Sequence, residues 1–252
     1  MTRDEALMRY ALRLGDDSLV LGQRLGEWCG KAPALEVDLA LANLGLDLIG
    51  QATLLLGYAG EVEGAGRDAD ALAFHRDVLD FSNCLLVEQP NGDFARTIAR
   101  QFLFSAWRDG LFADLSASAD PTLSAVAKKA AKETAYHLRF SREWMARLGD
   151  GTEESRRRLI DGLDWCWRFV DELFETDEVT AVLHAAGVGP DPAVLREHFD
   201  AEVEATLTHA KLERPAPHRA VVGGRVGRHT EHLGHLLAEM QFLPRAYPDA
   251  QW

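Results

Sequence analysis

Few cysteines, no paired-cysteine motif and a shortage of basic residues set the first limits on this 252-residue chain. Cys29, Cys84 and Cys166 lie far apart and none belongs to a C-x-x-C pair, so neither a zinc knuckle nor a disulfide framework is predicted. Asp and Glu total 40 against 27 Lys and Arg, which gives a net charge of −13. A chain this acidic is a poor binder of nucleic acid and of anionic membrane surfaces.

Targeting patterns and strand patterns are missing as well. The first residues, M-T-R-D-E-A-L, are charged and lack the apolar core of a secretory signal, so we expect a cytoplasmic protein. Polar residues interrupt the most apolar region before about 18 apolar residues accumulate, so no membrane-spanning helix is predicted. No segment alternates between apolar and polar residues as a half-buried strand does, so the chain is predicted to be all-α.

The strongest helical pattern occupies residues 35–58. One set of residues recurs at spacings of four and three: Leu35, Leu39, Ala42, Leu46, Ile49, Thr53 and Leu56. A second apolar face carries Val37, Leu41, Leu44, Leu48 and Leu55. A helix that is apolar on two faces is expected to be buried on both. Asn43, Asp47 and Gln51 form a polar line along it, and a buried Asp47 would need a partner.

Further helices are predicted on both sides of this central one. The remaining apolar periodicities and turn residues indicate helices at residues 6–28 (with a possible irregularity at Gly15), 69–81, 94–115, 121–148, 153–174, 177–186, 192–211 and 229–245. Asp120 is the predicted N-cap of the helix that begins at Pro121. Long helices joined by short turns suggest one domain over residues 1–252, an antiparallel bundle of about residues 4–150 with additional C-terminal helices and a tail over about 151–252.

Helical bundles of this kind often hold two irons, and such a site needs an E-x-x-H pair on each of two helices. The residues three positions before the nine histidines are Leu72, Thr134, Ala181, Leu195, Thr206, Pro215, Val226, His229 and His232. No acidic residue stands at that spacing. The sequence therefore argues against a functional diiron centre, and no metal ligand is assigned.

Two partial constellations remain. Glu133 and His137 share a helix face and are interpreted as a hydrogen-bonded pair. His232, His235 and Glu239, in the tail that begins at His229, could share a face and bind zinc or a similar ion. Polar packing or an interface is the preferred interpretation near a chain end.

Other chemical motifs are weak. Neither a G-x-x-x-x-G-K-[ST] phosphate loop nor a G-x-S-x-G elbow is present. The run Arg156, Arg157 and Arg158 is typical of a solvated helix face, with an anion contact as the alternative. Trp165 and Trp167 are interpreted as packing residues.

Several long strings carry a family resemblance. They are R-L-G-D-D-S-L-V-L-G-Q-R-L-G-E-W-C-G (13–30), D-L-A-L-A-N (38–43), L-V-E-Q-P-N-G-D-F-A-R-T-I-A-R-Q (86–101), Y-H-L-R-F-S (136–141) and H-T-E-H-L-G (229–234). Together they closely resemble the C subunits of bacterial phenylacetyl-CoA epoxidases, and the likeness runs to Gln251 and Trp252.

The resemblance implies a ferritin-like, four-helix-bundle subunit of a multicomponent diiron oxygenase. In that family the C subunit is a non-catalytic structural partner, and a related catalytic subunit holds the iron. The complex uses oxygen to convert phenylacetyl-CoA to its ring-1,2-epoxide in aerobic phenylacetate degradation. A small additional subunit takes part, and a reductase with FAD and a 2Fe-2S cluster supplies electrons from NADPH. No cofactor is therefore expected in this chain.

The resemblance also implies a degenerate diiron site. The catalytic relatives carry a D-E-A-G-H motif, which Asp47, Leu48 and Gln51 match here, with Leu48 in place of the ligand Glu and Gln51 in place of the ligand His. Their second E-x-x-H pair is matched by Thr134 and His137, and only the histidine is kept. We expect Asp47 and Gln51 to face His137 across the bundle, with a Lys or Arg nearby.

The family further suggests contacts with the coenzyme A part of the substrate. The matching positions are Asp80, Phe81, Ser82 and Asn83, with a second contact at Ala181, Val182 and Leu183. Ordinary loop packing is the alternative for these positions. For the whole chain, the alternative function is an autonomous diiron or other metal-dependent oxidase or hydroxylase that uses Glu133 and His137.

Overall fold

The computed structural model describes residues 1–248 and 250, so the terminal Gln251 and Trp252 lie outside it. Within these residues there are eleven α-helices and no strand, which confirms the all-α prediction. The helices are α1 (Arg3–Gly26), α2 (Leu35–Glu63), α3 (Ala69–Phe74), α4 (Leu85–Glu88), α5 (Phe94–Leu115), α6 (Pro121–Gly149), α7 (Glu153–Trp167), α8 (Glu178–Ala185), α9 (Pro192–His209), α10 (Glu231–Met240) and α11 (Phe242–Ala246). Short 3₁₀ turns occupy Val78–Asp80, Asp171–Phe174 and Gly224–Val226.

The chain divides into two compact units. The first comprises Met1–Pro90, Glu178–Leu183 and Val222–Trp252, and the second comprises Asn91–Asp177 and His184–Val221. Each unit contributes one pair of long helices joined by a short connection, as expected for a ferritin-like bundle. The division at Pro90 differs from the boundary near residue 150 in the sequence interpretation, and the single-domain assignment stays a prediction.

In the first unit α1 packs against α2 along most of its length. A Cβ atom added to Gly15 would lie 2.7 Å from the Leu56 side chain, and one added to Gly22 would lie 3.3 Å from the Gly45 carbonyl oxygen. These glycines let the two backbones approach closely. Gly15 therefore marks a contact inside a continuous helix, and the irregularity expected there is absent from α1.

The second unit is built on α5, which packs against α6, α7 and α9. Phe94 of α5 meets the Trp144 ring of α6 edge-on, with 4.9 Å between the ring centroids. Gly162 of α7 lies so close to α5 that an added Cβ would come within 2.7 Å of the Arg96 Cα atom. Asp120 accepts a hydrogen bond from the Leu123 amide and Pro121 begins α6, which confirms the predicted cap.

Three predicted helices are shorter or divided, and in two of them a tertiary contact lies at the break. The helix expected over residues 69–81 stops at Phe74, after which Arg76 turns inward to a buried carboxylate. The helix expected to reach Phe174 ends at Trp167 and is followed by the 3₁₀ turn Asp171–Phe174. The last helix divides at Gln241, whose buried amide donates to the carbonyls of Ala73 and Arg76.

Candidate functional site

The apolar face of α2 predicted from Leu35 to Leu56 is exposed only in part, because its last member, Leu56, is 1% exposed. Its remaining members, Leu35, Leu39, Ala42, Leu46, Ile49 and Thr53, are called here the outer face. The prediction that both apolar faces are buried is wrong for this chain, because Leu35, Leu39 and Leu46 are 71%, 57% and 69% exposed. On the second apolar face Leu41 and Leu44 are fully buried, and α1 packs against α2. The outer face thus exposes three large leucines, while Ala42 and Ile49 on it are half-buried.

The same helix is the one segment among the described residues that is long and apolar enough to cross a membrane. In its most apolar window 44% of the residues are buried inside the protein. Core helices of globular proteins have the same composition, so this feature does not indicate insertion into a membrane.

Fully buried acidic groups lie elsewhere in the first unit, at positions that the sequence interpretation did not single out. Asp16, Asp17 and Glu88 have side chains that are 0% exposed. Their partners are Arg76, Arg225 and His229, and these six residues are called here the charge network. Asp47, which the sequence suggested as the buried carboxylate, is only half-buried, and Asn43 on the same line is exposed.

Asp16 anchors the segment that follows α3. The Arg76 guanidinium donates to both of its carboxylate oxygens, and the Ser82 amide and hydroxyl donate to Oδ2 at 2.9 and 3.1 Å. Arg76 also donates to the Asp80 carbonyl at 3.0 Å and lies 4.3 Å above the Phe81 ring. One buried carboxylate therefore fixes the turn that contains residues 76–82.

Asp17 joins α1 to two later parts of the chain. Its Oδ1 atom accepts from the Cys84 amide at 2.7 Å, and its two oxygens accept from the Arg225 guanidinium at 2.9 and 3.1 Å. Arg225 also donates to the Ser82 carbonyl at 3.2 Å. This two-point contact between a carboxylate and an Arg is strong because both groups are charged and desolvated.

Glu88 accepts hydrogen bonds from residues that precede it and from residues that follow it in the chain. Thr230 donates its amide to Oε1 at 2.6 Å, Asn83 donates Nδ2 to Oε2 at 3.0 Å, and His229 Nδ1 lies 2.8 Å from Oε2. The second ring nitrogen, Nε2, lies 2.9 Å from the Phe81 carbonyl oxygen. Burial lowers the pKa of His229, but the hydrogen bonds to Glu88 and Phe81 and the attraction of Glu88 and Asp16 outweigh it, so the pKa is raised above its usual value.

The second unit also buries charged side chains, since Arg100, Arg108 and Glu172 are each 1% exposed. The arginine run at the start of α7 lies nearer the surface. Arg157 and Arg158 pair with Glu154, and Arg156 donates to the carbonyls of Gly149 and Lys211. Trp165 lies between the guanidinium groups of Arg96 and Arg168, each 4.8 Å from its ring centroid. Burial raises the pKa of the neighbouring Cys166 thiol to about 12, so this cysteine is an unreactive packing group.

The chain is similar to known proteins over almost its whole length. A family model described as "Phenylacetic acid catabolic protein" matches residues 1–252. The chain belongs to that family. The C subunit of the 1,2-phenylacetyl-CoA epoxidase of Escherichia coli (strain K12) is 54% identical over 246 residues, which cover 98% of this chain and 99% of the relative. The family resemblance found in the sequence is confirmed.

In this phenylacetic acid catabolic protein the residues of the expected degenerate diiron site are divided between the two units. Leu48 and Gln51, which are 1% and 2% exposed, lie on α2 in the first unit. Thr134 and His137, which are 3% and 2% exposed, lie on α6 in the second. All four side chains are in the protein interior, and the arrangement in which Asp47 and Gln51 face His137 stays a prediction.

The side chains predicted as a possible metal site in the histidine-rich tail do not form a buried cluster in the described residues. His229 is buried with both ring nitrogens engaged, His232 is half-buried, and His235 and Glu239 are exposed. Within residues 1–248 and 250 no three His, Cys, Asp or Glu side chains form a group that could hold a metal ion. Glu133, the other candidate, is half-buried on α6 beside the buried His137.

The predicted coenzyme A contacts are mostly hidden. Phe81 is 1% exposed, and Asn83 is 0% exposed with its amide directed to Glu88 and to the Cys84 carbonyl. Leu183 is 0% exposed and Val182 is half-buried, so Asp80, Ser82 and Ala181 are the members with accessible atoms. The contact itself stays a prediction, and a ligand would meet the surface of this segment.

Proposed function

We propose that this chain is a non-catalytic structural subunit of a diiron phenylacetyl-CoA epoxidase in the cytoplasm. Its function would be to bind and stabilise the related catalytic subunit, which holds the iron. Family membership and the 54% identity to the C subunit of an epoxidase support the assignment. Leu48 and Thr134 stand at two positions where the catalytic relatives have ligand glutamates, and neither side chain can replace a carboxylate at a diiron site.

The outer face of α2 is the observation that carries this proposal. Its residues recur at alternating steps of four and three, which is the spacing that two helices use when they pack side by side. From Leu35 to Thr53 the row is about 27 Å long at 1.5 Å per residue. Isolated exposed leucines are ordinary on protein surfaces, whereas an extended apolar row marks a site for another macromolecule. We assign it to a helix of the catalytic subunit.

The other components follow from the same assignment. Iron would reside in the catalytic subunit, FAD and the 2Fe-2S cluster in the reductase that uses NADPH, and a small additional subunit would complete the complex. Phenylacetyl-CoA would be the substrate of the assembly, with no cofactor held by this chain.

Charge placed on the outer face would test the proposal. We expect Leu39→Glu with Leu46→Glu to abolish co-purification with the catalytic subunit and the epoxidation that depends on it, because two carboxylates would be buried without partners. The helical content of the separate chain should be unchanged, since both positions face solvent in it. Val194→Glu is the control, because Val194 is 52% exposed on α9. A double variant that assembles like the wild type would refute the docking assignment.

An autonomous metal-dependent oxidase is the alternative function, with Glu133 and His137 as ligands. Metal analysis of the purified chain separates the two proposals. Two irons per chain, or epoxidation by this chain without the catalytic subunit, would overturn the structural role.

A contribution to acyl-CoA binding is a second part of the proposal, and the exposed Asp80 and Ala181 support it. Asp80→Ala and Ala181→Trp in the assembled complex should raise KM for phenylacetyl-CoA with little change in kcat. Asn83→Ala is a less direct probe, because Asn83 is buried and acts on Glu88. Unchanged KM in both surface variants would reject the contact.

A further inference from the structure

His229 is placed so that both of its ring nitrogens face hydrogen-bond acceptors. Nδ1 lies 2.8 Å from a carboxylate oxygen of Glu88, and Nε2 lies 2.9 Å from the Phe81 carbonyl oxygen. A neutral imidazole has one donor and one acceptor nitrogen, and only the imidazolium donates from both. A carbonyl oxygen cannot donate, so Nε2 must carry a proton. The state of Nδ1 then depends on Glu88.

Glu88 accepts hydrogen bonds from two groups besides His229. The Thr230 amide donates to Oε1 and the Asn83 side-chain amide donates to Oε2, in addition to the contact with His229. Hydrogen bonds donated to a carboxylate stabilise its charge. With Glu88 ionised, the proton between the two residues belongs to Nδ1 of His229.

The charged groups around His229 and Glu88 support the same protonation state of His229. The acidic groups are Asp16 and Asp17 on α1 and Glu88 on α4, and each side chain is 0% exposed. Arg76 is paired with Asp16 and Arg225 with Asp17, while Arg24 of α1 pairs with Glu27 and gives further hydrogen bonds to the carbonyls of Glu88 and His232. Glu88 and His229 form a buried ion pair, and an unpaired buried charge is costly.

The pair joins two distant parts of the chain. Arg225, His229 and Thr230 reach from the C-terminal segment to Asp17, Phe81, Ser82 and Glu88, across sequence separations of 208, 148, 143 and 141 residues. We propose that His229 is a proton-operated latch: as an imidazolium it holds residues 225–230 against residues 81–88, and on losing its proton at alkaline pH it releases them. This latch lies within the first unit and does not depend on the proposed function.

Nuclear magnetic resonance of the full chain with ¹⁵N-labelled histidine tests the protonation state directly. At pH 7 we expect both ring nitrogens of the resonance that disappears in His229→Gln to show the imidazolium signature, with a titration above the usual histidine value of 6.5. This agrees with the raised pKa of His229. A neutral tautomer at pH 7 would place the proton on Glu88 and overturn the latch.

Hydrogen exchange as a function of pH tests the release. After correction for the intrinsic pH dependence of exchange, amides in residues 81–88 and 225–240 should open together as His229 titrates, by about tenfold or more if one charged hydrogen bond is lost. In His229→Gln these amides should be open at every pH, whereas His235→Gln should behave like the wild type. If the variant does not fold, the wild-type profile alone decides. Protection that is unchanged through the titration of His229 would refute the latch.

Discussion

Two regions of the first unit reverse the usual relation between polarity and burial. On the outer face of α2, Leu35, Leu39 and Leu46 are more than half exposed, although they belong to the most apolar stretch of the chain. In the charge network, Asp16, Asp17 and Glu88 are completely buried. The difference shows that the polarity of a side chain does not by itself decide its burial here: a carboxylate can be buried where a cation of the chain pairs with it. The carboxylates are paired with cations of the same chain, whereas the three leucines stay more than half exposed.

Removing a cation from the charge network should give the largest effect on stability. Arg76→Ala leaves Asp16 buried and uncompensated, and breaking such a pair costs about 3–5 kcal/mol. The free energy of unfolding in urea measures this change. Arg157→Ala is the control, because the pairs of Arg157 with Glu154 and Asp161 are exposed and should leave the unfolding midpoint unchanged. Equal effects of the two variants would show that Asp16 is readily compensated.

Two leucines on opposite sides of α2 should separate the covered face from the uncovered one. Leu44→Ala removes a fully buried side chain and should destabilise the chain by about 2–5 kcal/mol. Leu46 is two residues further on and 69% exposed, so Leu46→Ala should stay within about 0.5 kcal/mol of the wild type. The comparison is made on the separate chain by thermal and urea unfolding. A large loss in Leu46→Ala would mean that the outer face is already covered in the separate chain, for example by a second copy of it.

The pH dependence of stability should be the smallest effect and has a definite sign. The pKa of His229 is raised on folding from its usual 6.5, so its contribution is fully present below pH 6.5. That contribution is lost as the pH rises from 6.5 through the folded-state value. The wild type should therefore become less stable over this window relative to His229→Gln, with unfolding free energies measured in urea at several pH values. Parallel pH profiles for the two proteins would contradict this prediction.

Local patterns were sufficient to predict much of the helical framework. The bounds of α5 agree with the apolar spacing in residues 94–115, and Asp120 with Pro121 defines the start of α6 because caps act over only three or four residues. The end of α3 could not be found in this way, since it depends on the contact of Arg76 with Asp16, 60 residues away.

The candidate site was less predictable, for the same physical reason. The strings that contain Asp16, Asp17, Glu88 and His229 carried the family resemblance, but nothing local indicates that these residues meet. Asp47 was selected because it interrupts an apolar helix, yet its side chain is only half-buried, and the apolar pattern of one helix does not show which of its positions neighbouring helices cover. The position of Asp16 and Asp17 between the apolar residues Leu14 and Leu19 of α1 was the feature that could have suggested buried carboxylates.

The long reach of Arg225 has a consequence for biosynthesis. Asp17 receives its guanidinium partner from a residue 208 positions later in the chain. Before Arg225 is made, the Asp17 carboxylate must stay hydrated, so the docking of α1 with α4 is completed only afterwards. Nascent chains that stop before Arg225 should thus expose this helix to proteases and chaperones.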